Sequence, residues 1–477
     1  MMLSNISTSF HLHRRFFHRN KLPSMSMTAL CMHSGSSSVG GINDGARVNL
    51  QKEGEGGRKP KRFVDFPFSY HEEIIVSIDD ITNLGVGVAR TKLKDGSEWV
   101  IMVPLVLPGE KVQVRIYANR KKYSEADLLK VIDPSIERIE PLCKYFSECG
   151  GCQYQHMSIS AQRDWKRRQV QSLLHRIGKV DLKDINVNPT VGTDDHLYGY
   201  RAKLTPHYNA PKSLNDLKIG FQKRGTRIMI DIDECIIGTT DINVKYKESR
   251  NAIYESIKEK VEKLGEMPKK GATLLFRKCD QGVETDQRMT VSYTLNDIKF
   301  FFKAGEFFQN NYHVLPIMVE HVLDMAQGDG CSILIDAYCG SGLFALSGAR
   351  FFESVHGIEV SELATNAAIE SAQLNDIQNV EFICGDSKEI FHKVSHLPAE
   401  NTVLIIDPPR RGCDESFLKQ FAEFGPKKLL YVSCDPATQA RDTEFIMKSG
   451  YSIIDITPFD LFPQTRHIEN CITFLRS

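Results

Sequence analysis

Cys434 stands in YVSCDPATQARD, between an apolar run and a turn that opens a helical pattern near Ala437. A thiol at a helix amino terminus is favoured as thiolate by the positive end of the helix, which makes it a nucleophile. Most cysteines are instead inert buried thiols. A place at a strand end, among loops that bind ligands, favours the reactive reading here. In the last apolar run, HIENCITFLRS, Glu469 is a carboxylate that can take up a proton, with His467 near it as an aide. Read alone, Glu469 would pass for a surface strand residue. Beside a nucleophilic thiol it becomes a candidate base.

A second group of residues suits an adenosine ligand. DAYCGSG is a glycine loop after an apolar run, and the next run ends in Glu359, 23 residues beyond Asp336, where a carboxylate can accept ribose hydroxyls. CGDS sets Asp386 at the end of the third run, where it could meet an adenine amino group. The loop lacks the full G-x-G-x-x-G spacing and no phosphate-binding lysine follows it, so S-adenosylmethionine fits better than NAD or ATP. In IIDPPRRG two prolines stiffen the loop that presents Asp407. Enzymes that methylate amino groups usually continue such a loop with an aromatic residue, and here Arg410 follows instead. A methyl donor gives the thiol a definite task. C5 of uracil is too weak a nucleophile to attack a sulfonium methyl group, but thiolate addition at C6 makes C5 enolate-like. A base must then remove the C5 proton so that the thiol can leave.

A third group suits a soft metal. Cys143, Cys149 and Cys152 have the spacing C-x5-C-x2-C, with Gly150 and Gly151 letting the backbone wrap, and Cys235 in IDIDECIIG is the best fourth thiol. Four cysteines fit an iron–sulfur cluster or structural zinc; the three-plus-one arrangement looks more like a cluster.

The elements that must carry these residues follow from the periodicities. From Glu72 to about Asp133 short alternating runs broken by Gly or Pro predict five strands, a small Greek-key barrel of the OB type over 68–135. Its RIYANRKKY stretch (Arg115, Tyr117, Arg120, Lys121, Lys122, Tyr123) mixes charge and aromatics as single-stranded nucleic acid binders do, or is a solvated strand end. A central α+β region, 136–300, holds the cysteines, a long polar helix after Met157 and a charged helix from Asn251. There Lys203, Lys223, Arg224 and Arg227 are possible phosphate contacts or solvated charges. From 301 to 477 strand and helix alternate, which predicts a doubly wound α/β sheet with ligands at the strand carboxyl ends.

With 60 basic and 60 acidic residues the chain has no formal net charge, which argues against coating nucleic acid by bulk charge but leaves room for a local basic face. No run approaches the eighteen or so apolar residues of a membrane span, and no membrane partner or obligate protein partner is expected; a monomer is. Twelve cysteines in 477 residues are too sparse for a disulfide framework. The first 43 residues lack Asp and Glu, are rich in Ser and Met and carry Arg14, Arg15, Arg19 and Lys21, the composition of an organelle transit peptide. With the polar linker to residue 62, this leader is expected to direct the chain to the chloroplast, or alternatively to the mitochondrion.

FFQNN (Phe307 to Asn311), DAYCGSGLF, IIDPPRRG, YVSCDPATQARD and LFPQTRHIE, in this order, resemble the sequence blocks of the S-adenosylmethionine-dependent RNA uracil-C5 methyltransferases. The C-x5-C-x2-C motif with its distant cysteine resembles the cluster-bearing branch, which begins with an RNA-binding barrel of the TRAM type. The resemblance implies a Rossmann-like methyltransferase domain at the carboxy terminus, a central iron–sulfur domain and a [4Fe–4S] cluster on Cys143, Cys149, Cys152 and Cys235. It implies that Cys434 is the nucleophile and Glu469 the base, and that Gln309, Tyr338, Glu359, Asp386 and Asp407 line the pocket for S-adenosylmethionine and uridine. Leu343 stands where some relatives have Asn, so any cofactor bond from that side chain is not expected. The substrate would be a uridine of folded RNA, extruded into the pocket. Ribosomal and transfer RNA are both open, with the cluster and barrel leaning towards ribosomal RNA. A silent RNA-binding assembly factor and an iron–sulfur redox sensor are the rival readings. Intact Cys434 and Glu469 count against the first, and the lack of a partner redox motif against the second.

Overall fold

The mainly apolar stretches Thr402–Ile406 and Lys428–Ser433 are buried at every position, as strands covered on both faces must be. The computed structural model describes residues 63–477 except 182, 184 and 386–389, and these fall in one unit, Arg47–Ser477. The expected leader and linker, 1–62, and the candidate Asp386 lie outside the described residues.

The first region is one six-stranded sheet in the order β1-β5-β6-β4-β3-β2. Its strands are β1 (Glu73–Ser77), β2 (Asp80–Ile81), β3 (Val86–Lys92), β4 (Glu98–Pro104), β5 (Lys111–Asn119) and β6 (Tyr123–Asp133). Alternate residues, among them Ala89, Ile101, Val103, Val112, Val114 and Ile116, form a core of their own. The basic-aromatic stretch spends half its charge internally: Arg115 pairs with Asp127 at 3.5 Å and Arg120 with Glu125 at 2.9 Å. Lys121 and Lys122 are left exposed at the β5–β6 turn.

The central region carries the cysteine loop, helix α1 (Ile159–Arg176), short strands β7 to β15 between Lys203 and Lys303, and helix α2 (Thr240–Leu264). α2 starts eleven residues before Asn251 because Thr239 caps it, its hydroxyl accepting from the Ile242 amide. Two of the four cations read as phosphate contacts or solvated charges have internal duties. Lys203 Nζ donates to the carbonyls of Gly305 and Glu306, and Arg224 Nη2 to those of Phe146 and Cys152.

The last region is a seven-stranded sheet in the order β18-β17-β16-β19-β20-β22-β21. It comprises β16 (Ile333–Ala337), β17 (Ser354–Glu359), β18 (Val380–Cys384), β19 (Thr402–Ile406), β20 (Lys428–Ser433), β21 (Tyr451–Phe459) and β22 (Glu469–Arg476). The first five are parallel, and β22 enters antiparallel between β20 and β21. Helices α3 (Leu315–Ala326) and α4 (Leu343–Gly348) pack on one face, with Leu334, Leu430 and Val432, and α5 (Glu362–Leu374) and α6 (Ile390–Val394) follow β17 and β18 in the chain. On the other face lie α7 (Glu415–Phe424) and α8 (Pro436–Lys448), with Ile335, Leu429 and Tyr431. α1 joins that second face: Val170 and Leu174 share its core with Ala440 and Ile446. The central region is thus built into the packing of the sheet. No helix among the described residues is long and apolar enough to cross a membrane.

Candidate active site at the strand ends

Because the first five strands run the same way, their carboxyl ends share one edge, and β22 starts there. Read across the sheet, that edge presents Glu359 at the end of β17, Asp336 within β16, Asp407 after β19, Cys434 after β20 and Glu469 at the start of β22. The strand register explains the last pair. Ser433 of β20 sits opposite Asn470 of β22, so one step further brings Cys434 beside Glu469. Gln439 of α8 locks this register, donating to the Tyr431 and Asn470 carbonyls at 2.7 and 3.1 Å while Asn470 Nδ2 donates back at 2.8 Å.

The pocket is electrostatically tense. Burial, with the nearby carboxylates of Glu469 and Asp407, pushes the Cys434 thiol up to about 12 against the opposing charge of Arg410. The expectation that the helix end would favour the thiolate is corrected here. Asp435 caps α8, its carboxylate accepting from the Ala437 and Thr438 amides, so the positive helix end is already answered before Cys434 can use it. Glu469 is 4% exposed, and its Oε2 has no hydrogen-bond partner. Burial and the neighbouring Asp407 raise its pKa well above the ordinary carboxylate range, against Arg410. Asp407 is raised by burial as well. His467 is pushed down to about 3 by burial and by Arg466, Arg410, Lys166 and Arg201. It is therefore a neutral imidazole at neutral pH, not a charged aide to the base.

Arg410, read from sequence only as a missing aromatic, is the cation that faces both Cys434 and Glu469. The rest of the cysteine motif holds its loop. Thr438 Oγ1 donates to the Arg410 carbonyl and Arg441 to those of Arg411 and Cys413, while Asp442 accepts from the Cys413 amide and the Tyr431 hydroxyl. The ATQARD half of the motif is thus the mount of the IIDPPRRG loop. Both motifs were visible in the sequence, but their contact is set by the fold and not by either motif alone.

On the other side, Glu359 accepts from the Gly340 amide at 3.0 Å and the Ser361 amide at 2.8 Å, fixing the glycine loop. Tyr338, Gly340 and Gly342 all have φ between 55 and 83°, a run of left-handed backbone that strains Tyr338 and turns the loop sharply. A side chain added at Gly340 would meet nothing within 4 Å, so the space above the loop is open. Asp336 is fully buried; its Oδ2 accepts from the Ala345 amide, and its Oδ1 has no partner. Burial raises it to about 8, helped by Asp407 and Glu359. Such a row of unrelieved carboxylates beside open space fits a ligand that carries positive charge, as the sulfonium and ammonium of S-adenosylmethionine do. Gln309 is 4% exposed and rides on a strap whose next residues bind elsewhere, Asn310 to Ala202 and Arg277 and Asn311 to Leu461.

The four cysteines Cys143, Cys149, Cys152 and Cys235 gather, and charge interactions link Cys152 to the other three. Among the described residues, however, no three His, Cys, Asp or Glu side chains are arranged to hold a metal ion, so a ready-made metal centre, as expected from the spacing, is not shown. The thiols approach one another without closing into a shell around one ion.

The family model for tRNA (uracil-5-)-methyltransferase matches residues 237–477. The tRNA (uracil(54)-C(5))-methyltransferase of Schizosaccharomyces pombe is 37% identical over 86% of this chain and 79% of its own, and that of Saccharomyces cerevisiae 31% identical over 84% and 74%. The crystal structure of the Pyrococcus abyssi tRNA (uracil-54, C5)-methyltransferase with S-adenosyl-L-homocysteine superposes with a TM-score of 0.62, covering 84% of this chain and 99% of that one. At 22% identity this likeness shows the shared fold alone. With the family match covering the whole strand-end row, the chain belongs to the S-adenosylmethionine-dependent RNA uracil-C5 methyltransferases.

Proposed function

We propose that this enzyme methylates C5 of a uridine in transfer RNA, at the position its fungal relatives' names give as 54. The lean towards ribosomal RNA gives way because both relatives carry transfer RNA in their names. The observation that carries the chemistry is the register that sets Cys434 beside Glu469, with Asp407 and Arg410 acting on both.

S-adenosylmethionine supplies the methyl group as an electrophile. Cys434 Sγ adds to C6 of the extruded uridine and gives its proton to Asp407 as the bond forms, since the free thiolate is scarce at neutral pH, and Glu469 stays free for the later proton. The electron pair of the C5–C6 double bond moves onto the C5 side, and C5 takes the methyl group as its bond to the sulfonium sulfur breaks, the sulfur keeping that electron pair and leaving as the neutral thioether. Glu469 then takes the C5 proton. The electrons of that C–H bond restore the double bond, the C6–Sγ bond breaks, and Cys434 departs as thiolate. Arg410 favours the ionised Glu469 that this last step needs. Glu359, Tyr338, Asp386 and Gln309 are the proposed walls for cofactor and base.

Cys143, Cys149, Cys152 and Cys235 are the proposed holders of a [4Fe–4S] cluster. An all-thiol donor set supports it, and a cluster is broader than a single ion, so its ligands stand farther apart. The 73–133 sheet is proposed as the TRAM-type RNA-binding barrel, with Lys121 and Lys122 at its tip. A plastid or mitochondrial address for the leader and a monomeric state remain part of the proposal. Labelled S-adenosylmethionine with transfer RNA transcripts tests the substrate: label should enter the transcript and vanish when U54 is replaced by C. Label in ribosomal RNA fragments with none in transfer RNA would contradict it.

A further inference from the structure

Between β21 and β22 the chain must turn and deliver Glu469 to Cys434, yet the turn is held from outside the sheet. Lys166 of α1 donates to Asp460 at 2.6 Å and to the Phe462 carbonyl at 3.1 Å, both ionic side chains being fully buried. Asn311 donates to the Leu461 carbonyl at 3.0 Å and Tyr200 to that of Pro463 at 3.0 Å. Gln464 is the centre of the arrangement. Its φ is 68°, a conformation few non-glycine residues adopt, and it is 3% exposed. Its amide donates to Gln162 Oε1 at 2.9 Å, and Gln162 Nε2 donates to its Oε1 at 3.0 Å. Its carbonyl accepts from the amides of Gln153 and Tyr154, the two residues that follow Cys152, at 3.1 and 3.0 Å. Gln153 Oε1 also accepts from the Arg466 amide at 3.2 Å.

A strained residue persists only where its surroundings over-determine it. Here the surroundings are α1 and the end of the cysteine loop, some 300 residues away in sequence. We infer that Gln464 and Gln162 form a positioning lock for the general base, through which the cysteine loop and α1 set the place of Glu469. The inference rests on the proposed role of Glu469. It assigns the central region a part in the last chemical step, the removal of the C5 proton, and none in cofactor binding.

Gln464→Gly and Gln162→Ala, made in the full chain, test it in single-turnover reactions on a transfer RNA transcript. Glycine accepts the turn without strain, so Gln464→Gly should fold while losing the side-chain lock. Misplacing a catalytic group by about 1 Å commonly costs on the order of a hundredfold. In both variants the covalent protein–RNA adduct should therefore decay about ten- to a hundredfold more slowly than in the wild type. The KM for S-adenosylmethionine and the rate of adduct formation should stay within about twofold, a split that general loosening of the fold would not produce. Gln162→Glu keeps the acceptor for the Gln464 amide and should restore part of the decay rate. Wild-type decay in Gln464→Gly, or formation slowed as much as decay, overturns the lock. Glu469→Gln is the control. If it accumulates adduct while Gln464→Gly does not, only the lock fails; if it accumulates none, the role of Glu469 fails and the lock with it.

Discussion

The two halves of the strand-end row are held in different ways. On the cofactor side Glu359 grips Gly340 and Ser361, and Asp336 grips Ala345, partners within 19 residues and inside the sheet's own strand–loop–helix units. On the base side Glu469 follows a turn whose anchors, Lys166 and Gln162, lie 294 and 302 residues away. The glycine-loop half is held by its own strand–loop–helix units, whereas the thiol–base half depends on α1 and the cysteine loop. Damage to α1 or the cysteine loop should therefore spare the contacts of Glu359 and strike the chemistry.

The strongest way to separate the halves is Cys434→Ala. It should bind S-adenosylmethionine as the wild type does, by equilibrium dialysis, and transfer no methyl group. Ordinary turnover would make the thiol structural. Lys166→Met attacks the far anchor. Breaking one partner of a buried ion pair costs about 3–5 kcal/mol, and with Arg163 Nε still 3.8 Å from Asp460 urea unfolding should show a loss at the lower end of that range. Lys166→Met with Asp460→Leu should recover most of it. A loss near zero in the single variant would mean that the pair is not a brace.

Smaller effects belong to the cofactor half. Glu359→Gln keeps an acceptor but removes charge and turns one carboxylate oxygen into a donor. Charge-assisted hydrogen bonds are worth about 1.5–3 kcal/mol, so affinity for S-adenosylmethionine should fall roughly ten- to a hundredfold, with normal adduct decay once the cofactor is saturating. Unchanged affinity would remove Glu359 from the cofactor wall. The smallest expected effect is a displacement along the pH axis. Arg410 lowers the pKa of both Cys434 and Glu469, so Arg410→Met should raise both. Alkylation of Cys434 should already rise with pH without a plateau through pH 10, given a thiol at about 12, and the variant should be slower at every pH tested. Faster alkylation in the variant would contradict the assigned sign.

The same contrast governs what was legible in the sequence. The seven strands of the last sheet, the glycine loop with Glu359, and the placing of Cys434 and Glu469 at strand ends follow from periodicity and local order, because each involves neighbouring units. Strands of two residues, such as Asp80–Ile81 and Lys203–Leu204, are too short to show a period, so the first sheet has one strand more than expected. Arg224 and Lys203 read as cations available to phosphate, but their partners are backbone carbonyls of distant loops, which carry no sequence signature. The helix-end argument for Cys434 failed for a local reason: the next residue, Asp435, takes the helix end for itself. Gln162 and Gln464 are ordinary residues in ordinary stretches, and only the fold brings them together.

The central claim is that Cys434 and Glu469 perform successive halves of one covalent reaction, and Glu469→Gln with a transfer RNA transcript tests it most directly. Losing a general base costs about a hundred- to ten-thousandfold in turnover, but addition and methylation should survive. Denaturing electrophoresis should therefore show methylated RNA attached to the protein as a slowly migrating band, absent from the Cys434→Ala, Glu469→Gln double variant. Full turnover by Glu469→Gln, or a band that persists without Cys434, would contradict the account.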